Sequence, residues 1–376
     1  MVKNGMKRTA VIMAGGSGER FYPLSRTKRP KQLLPLIRHD KMMIEEAIER
    51  VAPLIPYEDI YIITSKVLQH TMREMLPAIP PENIIAEPYK RNTAPCLALA
   101  ASVMCAKYAK ECTPEQISTA VLTADHYFSD EDVFRKQIDE ALTFAEQHAS
   151  IVTLGITPSR PETGYGYIEC GEALSGDILN VERFREKPNA ETAQEFIDAG
   201  NYLWNGGMFF YRCDTFINGL IEHEPEVGNK IHEMTSLLEH DVHVAIDGSS
   251  EVIDDIFNNF PDISIDYGLM ERAENVAVLP SKFQWDDVGS WDSLDRTNPH
   301  DDNDNVTIGL TTVIDSQQTI VANYSTNSEI MVSAIGLEDM IIVVTDDSIV
   351  VCPKDRAQDV KKAVATMRKK GQEKWL

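Results

Sequence analysis

Apolar and polar positions alternate along the first two thirds of the chain in two different periods. Ala10–Ala14 is a short apolar run of the kind a buried strand makes, and it leads straight into glycines. Met43–Leu54 has helical spacing, Ile60–Thr64 reads as a strand, and Val67–Leu76 is helical again. Asn83–Ala86 is a short strand. Thr93 followed by Pro95 predicts an N-cap and an early-turn proline for a helix running to about Lys110. Ser118–Thr123 is a strand, Ser129 with Asp132 resembles a capping box opening a helix to about His148, and Ile151–Ile156 is a further strand. Strands that alternate with helices predict βαβ units, hence an α/β, Rossmann-like, mainly parallel sheet with helices on both faces.

The texture changes near Asn298. A polar run over 301–305 precedes five short β-type stretches, Thr307–Val313, Thr319–Tyr324, Ile330–Ala334, Met340–Thr345 and Ser348–Cys352, and a basic helix over about 355–370 closes the chain. The expected organisation is a large domain over 1–298 and a small β-rich C-terminal domain over 299–376.

Composition narrows the function classes. The 376 residues are 43% hydrophobic, enough for a large core and a second, smaller one. The formal charge is −23, which argues against nucleic acid or an anionic membrane as the main partner. No apolar segment approaches the roughly 20 residues of a membrane span, and nothing resembles a signal peptide. The six cysteines show no Cys-x-x-Cys pair and no Cys/His ligand spacing, so reduced thiols in a cytoplasmic protein are expected. Against the acidic background, Arg20, Arg26, Lys28, Arg29 and Lys31 form a cationic island without an acid among them, suited to a small polyanion.

In parallel α/β sheets, ligands collect beyond the carboxyl ends of the strands. Residues 15–20, 87–93 and 124–126 are therefore the places to look. Glycines at 15, 16 and 18 let backbone N–H groups face phosphate oxygens. No lysine follows Gly18 as a P-loop demands, and Phe21 stands where a dinucleotide fingerprint needs a third glycine. Glu87 offers one carboxylate, which can accept from the ring N–H and amino group of guanine together; its bland alternative is a Glu-Pro before a helix cap. Asp125, directly after a strand, sits where Mg²⁺ would be held by one or two carboxylates plus phosphate oxygens. Asp286 and Asp287, in Trp285-Asp-Asp-Val-Gly289, are candidates for the second acid. His126 is better read as a positioning residue than as a ligand.

The string Gly15-Gly-Ser-Gly-Glu-Arg-Phe-Tyr-Pro-Leu-Ser-Arg26, with Pro30-Lys-Gln-Leu-Leu34, resembles the sugar nucleotidyltransferases, and among them the mannose-1-phosphate guanylyltransferase branch. Tyr22 replaces the tryptophan typical there. The resemblance implies the nucleotide-diphospho-sugar transferase fold, and a direct Mg²⁺-dependent attack of mannose 1-phosphate on GTP. It implies that Gly15, Gly16, Ser17, Gly18 and Arg20 grip the triphosphate and that Lys31 neutralises charge at the α-phosphate. Glu87, Asn92 and Thr93 would contact base and ribose, through the family's Glu-Pro-x-x-Arg-Asn-Thr-Ala-Pro. Asp125 and Asp287 would carry the metal, the latter by the family's Trp-x-Asp-x-Gly. On the sugar side, Gly166, Glu186 and Asn205 would meet the hexose hydroxyls and Lys187 the sugar phosphate. The resemblance extends into the tail, which in relatives makes dimer contacts, so a homodimer is implied. The chain is too short for the isomerase domain some members carry, which implies the transferase activity alone. Two alternatives stand beside this reading: another nucleoside triphosphate or sugar 1-phosphate, and a non-catalytic sugar-nucleotide sensor.

Overall fold

The computed structural model describes residues 2, 3, 5–240 and 250–376. They form two compact units, one from the described residues within 1–15, 48–123 and 130–284, the other of residues 16–47, 124–129 and 285–376. Contact packing thus gathers the glycine loop, the segment around Asp125 and the C-terminal tail into one body, although they lie far apart in sequence.

In chain order the main elements are β1 (Met6–Met13), α1 (Met43–Val51), β2 (Ile60–Ser65), α2 (Lys66–Met75), β3 (Ile84–Glu87), α3 (Thr93–Tyr108), β4 (Ile117–Thr123), α4 (Glu131–His148) and β5 (Ile151–Ile156). There follow β6 (Gly166–Ser175), β7 (Ile178–Glu186), α5 (Ala190–Ala199), β8 (Tyr202–Arg212), α6 (Cys213–His223), α7 (Pro225–His240), α8 (Glu251–Asn258) and β9 (Val276–Pro280).

The first unit is built on one sheet with strand order β3-β2-β1-β4-β8-β5-β9-β7-β6. Strands β3, β2, β1 and β4 run parallel, as do β5 and β9. This α/β sheet is what the alternation of strand and helix indicates. Alternation does not reveal β8, which inserts antiparallel between β4 and β5, or the antiparallel β6–β7 pair. Helix α3 is apolar all round, with every residue but Thr93 and Lys107 buried, because it is a central element of the core rather than an amphipathic cover.

Two helix starts sit one residue from where the sequence pattern puts them. Asn92, not Thr93, caps α3: its side chain accepts from Thr93 N at 3.0 Å, leaving the Thr93 hydroxyl to accept from Ile265 N at 2.8 Å. Asp130, not Ser129, caps α4, accepting from the backbone N–H groups of Asp132 and Val133 at 3.0 Å. An ionised carboxylate is the stronger acceptor at a helix start.

The second unit holds α9 (Ser293–Thr297), the strands β10 (Val306–Ile308), β11 (Thr311–Ile314), β12 (Ile320–Asn323), β13 (Val332–Ile335), β14 (Met340–Val344) and β15 (Ile349–Pro353), and α10 (Val360–Lys369). Strands β10, β12 and β14 stack in parallel, β15 closes that sheet antiparallel, and β11 pairs with β13. The sequence reads Thr307–Val313 as one stretch, but the chain breaks at Gly309. There φ is +75° and a Cβ would lie 2.2 Å from the carbonyl oxygen of Asn323, so the chain turns on a residue that has none. Trp291 anchors this unit: it is fully buried, its edge meets Phe21 at 5.0 Å between ring centroids, and its indole N–H donates to Tyr22 O at 2.9 Å.

Candidate functional site

The second unit encloses a cavity of about 360 Å³ lined by Ser17, Gly18, Arg20, Lys31, Asp125, His126 and Asp287, with Glu19, Phe21, Gly289 and Lys361 completing it. Gly18 has φ +62°, and a Cβ there would lie 2.5 Å from Lys31 N, so the loop closes over the lysine only because residue 18 is glycine. Lys31 is 6% exposed, a depth at which an ammonium needs partners. It has two: Oδ2 of Asp125 at 3.0 Å and the carbonyl oxygen of Asp287 at 2.6 Å. Arg20 donates to Gly289 O at 3.3 Å.

Burial works against ionisation of Asp125, but the charges of Lys31 and His126 outweigh it and hold the carboxyl below its usual range. His126 is itself oriented by Trp285, whose indole N–H donates to Nδ1 at 3.1 Å. Of the adjacent acids, Asp286 is buried and structural: it pairs with Arg296 at 2.5 Å and accepts from Val288 N at 2.8 Å. Asp287 faces the cavity, and Gly289 leaves room for it, since a Cβ there would lie 3.0 Å from Oδ2 of Asp287.

Among the described residues no cluster of three or more His, Cys, Asp or Glu side chains could hold a metal ion alone. Two carboxylates in one cavity with cationic side chains suit Mg²⁺ where phosphate oxygens supply further ligands. Asp125 and Asp287 fit that ion in this sense.

Within the first unit, Gly15 lies two residues beyond the end of β1 and Glu87 ends β3. A Cβ at Gly15 would lie 3.6 Å from Oε2 of Glu87, so the carboxylate stands over the glycine. Burial pushes the Glu87 carboxyl up to about 7, against the smaller opposing effects of the Cys96 thiol and Lys90. Asn92, in a left-handed conformation with φ +68°, and Thr93 follow it at the start of α3.

A second cluster in the same unit holds Gly166, Glu186, Lys187 and Asn205. A Cβ at Gly166 would lie 2.6 Å from Oε2 of Glu186, so glycine is the residue that leaves this carboxylate its space. Oε1 of Glu186 pairs with Lys187 Nζ at 2.7 Å, and Oε2 is buried with no hydrogen-bond partner among the described residues. Asn205 sits at a register shift in β8, where the Gly206-Gly207 bulge re-aims its side chain. Its Oδ1 accepts from Gly207 N at 3.1 Å and Thr153 Oγ1 at 3.2 Å, and its Nδ2 donates to Asp266 at 2.9 Å.

Asp266 is the member of this cluster that sequence reasoning missed. It opens a single π-helical turn, Asp266–Met270, and burial beside Glu186 raises its carboxyl to about 6. The signal was an acid in the otherwise apolar context of Ile263–Met270, next to the segment that receives Thr93 and Ala94.

Residues 9–304 match the family model described as nucleotidyl transferase. The chain belongs to the nucleotidyl transferase family. Residues 309–367 match a second model, the MannoseP isomerase/GMP-like beta-helix domain. Curated relatives of this nucleotidyl transferase include the mannose-1-phosphate guanylyltransferase of Escherichia coli (strain K12), 36% identical over 96% of this chain and 73% of that protein. That of Salmonella montevideo is 38% identical over 96% and 74%. Among solved structures, one named mannose-1-phosphate geranyltransferase, from Thermus thermophilus, superposes with a TM-score of 0.83 at 33% identity, covering 96% of this chain and all of that one. No helix among the described residues of this nucleotidyl transferase is long and apolar enough to cross a membrane.

Proposed function

We propose that this nucleotidyl transferase moves GMP from GTP to mannose 1-phosphate, releasing pyrophosphate, by direct in-line displacement. The observation that carries the proposal is the pairing of Lys31 with both candidate metal-binding positions, Asp125 and Asp287, inside a cavity rimmed by the glycine loop. An incoming sugar phosphate is already an anionic nucleophile, so no base is required to activate it. The obstacle is repulsion between two polyanions, which positioning and charge neutralisation overcome.

Ser17, Gly18 and Arg20 hold the triphosphate in this scheme. Lys31 neutralises charge growing at the α-phosphorus, and its two internal partners keep it from turning away. Mg²⁺ on Asp125 and Asp287 would add Lewis-acid polarisation of the phosphoryl oxygens. His126, fixed by Trp285, lines the wall beside Asp125. Glu87 reads guanine through its paired N–H donors, with Asn92 and Thr93 beside it.

For the hexose, Glu186 and Asp266 are acceptors, and Asn205 is bonded to Asp266. The unpartnered Oε2 of Glu186 is the acceptor left open for a sugar hydroxyl. Lys187, on a left-handed backbone at φ +47°, presents its ammonium for the sugar phosphate.

The deciding assay combines GTP, mannose 1-phosphate and Mg²⁺ and follows GDP-mannose and pyrophosphate together. A panel of other nucleoside triphosphates and sugar 1-phosphates, run alongside, identifies the preferred pair. Binding of GDP-mannose without turnover under any pairing would overturn the proposal in favour of a sensor.

A further inference from the structure

Lys361 lines the phosphate cavity, yet it comes from the C-terminal tail helix α10, more than 300 residues after the glycine loop. The helix is tied down on several sides. Arg368, seven residues on and therefore on the same face, pairs with Oε1 of Glu19 at 2.5 Å. Just before the helix, Gln358 Nε2 donates to Ser290 Oγ at 2.9 Å, and Lys354 pairs with Asp295 at 3.2 Å. The segment carrying Lys361 is thus held against both walls of the pocket, the glycine loop and the Val288–Trp291 turn.

The charge around Lys361 is distributed unevenly. Asp359, the nearest acid in sequence, is engaged by Arg356 and Lys362 at 2.6 Å each. Lys31 is occupied by Asp125 and Asp287, and Arg20 by Gly289 O. Among the described residues Lys361 has no acidic partner, and its side chain is exposed at the cavity. In a protein of charge −23, an unneutralised ammonium kept beside other cations calls for an anion to bring them together.

We propose that Lys361 is a further phosphate-binding residue, holding the β- and γ-phosphates of the nucleotide and the pyrophosphate once it has departed. This rests on the reaction proposed above for the identity of the ligand. Lys31 is held close to the aspartates, which suits it to the reacting phosphorus. Lys361, on a long exposed stem, suits the outer, more highly charged and more mobile end. The β-rich tail then contributes a binding group to the nucleotide pocket instead of serving only as a structural appendage.

The test is titration calorimetry of magnesium pyrophosphate into the full-length protein and into K361M, K361R and K362M, each checked for an unchanged thermal midpoint. Loss of one charge-assisted contact is expected to raise the dissociation constant of K361M about tenfold. K361R should stay within about threefold of wild type, because the charge is retained. K362M, whose lysine is spent on Asp359, should match wild type. In parallel, KM for GTP in K361M should rise with the pyrophosphate constant, while KM for mannose 1-phosphate stays within about twofold. Equal pyrophosphate affinity in wild type and K361M, or no measurable pyrophosphate binding by wild type, overturns the assignment. Pyrophosphate binding that depends on Lys361 in a protein forming no nucleotide sugar would uphold the assignment and overturn the reaction instead.

Discussion

The Lys31 ammonium lies 3.0 Å from Oδ2 of Asp125, a buried cation and a carboxylate joined across a gap of 94 positions in the chain. The pair has two consequences. It holds the Asp125 carboxyl below its usual range, which favours the charged form that a metal would need. It also restrains the Lys31 side chain at the cavity wall.

Removing charge from either aspartate should therefore abolish chemistry without unfolding the protein. Asp125→Asn and Asp287→Asn are each expected to lower kcat by at least about two orders of magnitude. Circular dichroism should remain that of wild type. Chelation should have the same effect on the native enzyme, reversed by adding Mg²⁺. Near-normal turnover in both variants would remove the aspartates from the mechanism.

Lys31 has a structural role beside the chemical one proposed for it. Lys31→Met should reduce turnover and also lower the thermal midpoint, because Asp125 loses the partner that offsets its burial. Lys31→Arg should fold but work poorly, since a planar guanidinium cannot reproduce the approach to both Asp125 and the Asp287 carbonyl. A K31R enzyme with wild-type kcat would show that positive charge alone suffices.

The proposed reading of guanine by Glu87 predicts base recognition that depends on pH. Its carboxyl titrates near 7, raised by burial, and only the ionised form can accept from both guanine donors. GTP affinity should accordingly improve as pH rises through about 7 and fall below it, because at low pH a proton occupies the acceptor and must be displaced. Glu87→Gln should flatten this profile and reduce the preference for GTP over ATP at least about tenfold. A pH profile for GTP binding unchanged by the substitution would assign base reading to other groups.

Hexose choice should reside in Glu186, Asp266 and the Asn205 amide bonded to Asp266. Asp266→Asn and Glu186→Gln are expected to raise KM for mannose 1-phosphate at least about tenfold, with KM for GTP nearly constant. Discrimination against glucose 1-phosphate, which differs in one hydroxyl configuration, should fall in at least one of them. Equal rises in both Michaelis constants would point to general damage of the core.

Replacing Gly18 tests the loop itself. An alanine there would place a methyl group 2.5 Å from Lys31 N at a positive φ, so G18A should lose triphosphate affinity together with stability. Gly16, which has nothing within 4 Å of its would-be Cβ, should accept alanine with little loss of stability.

Local patterning along the chain was enough to indicate the βαβ core, the β-rich tail, the glycine loop with its cations, and the acids that follow the strands. Those features depend on period and on near neighbours, and Ala10–Ala14 running into Gly15-Gly-Ser-Gly18 carries them in one stretch. Tertiary structure alone decided three things. Strand β8 slots antiparallel into the parallel sheet, and its bulge turns Asn205 toward Asp266. Asp286 is spent on Arg296 while Asp287 faces the pocket. Lys361 arrives from the tail to stand beside residues 16–31. Each depends on which distant segments bury their apolar surfaces together, and such long-range pairing leaves no period in the sequence to read.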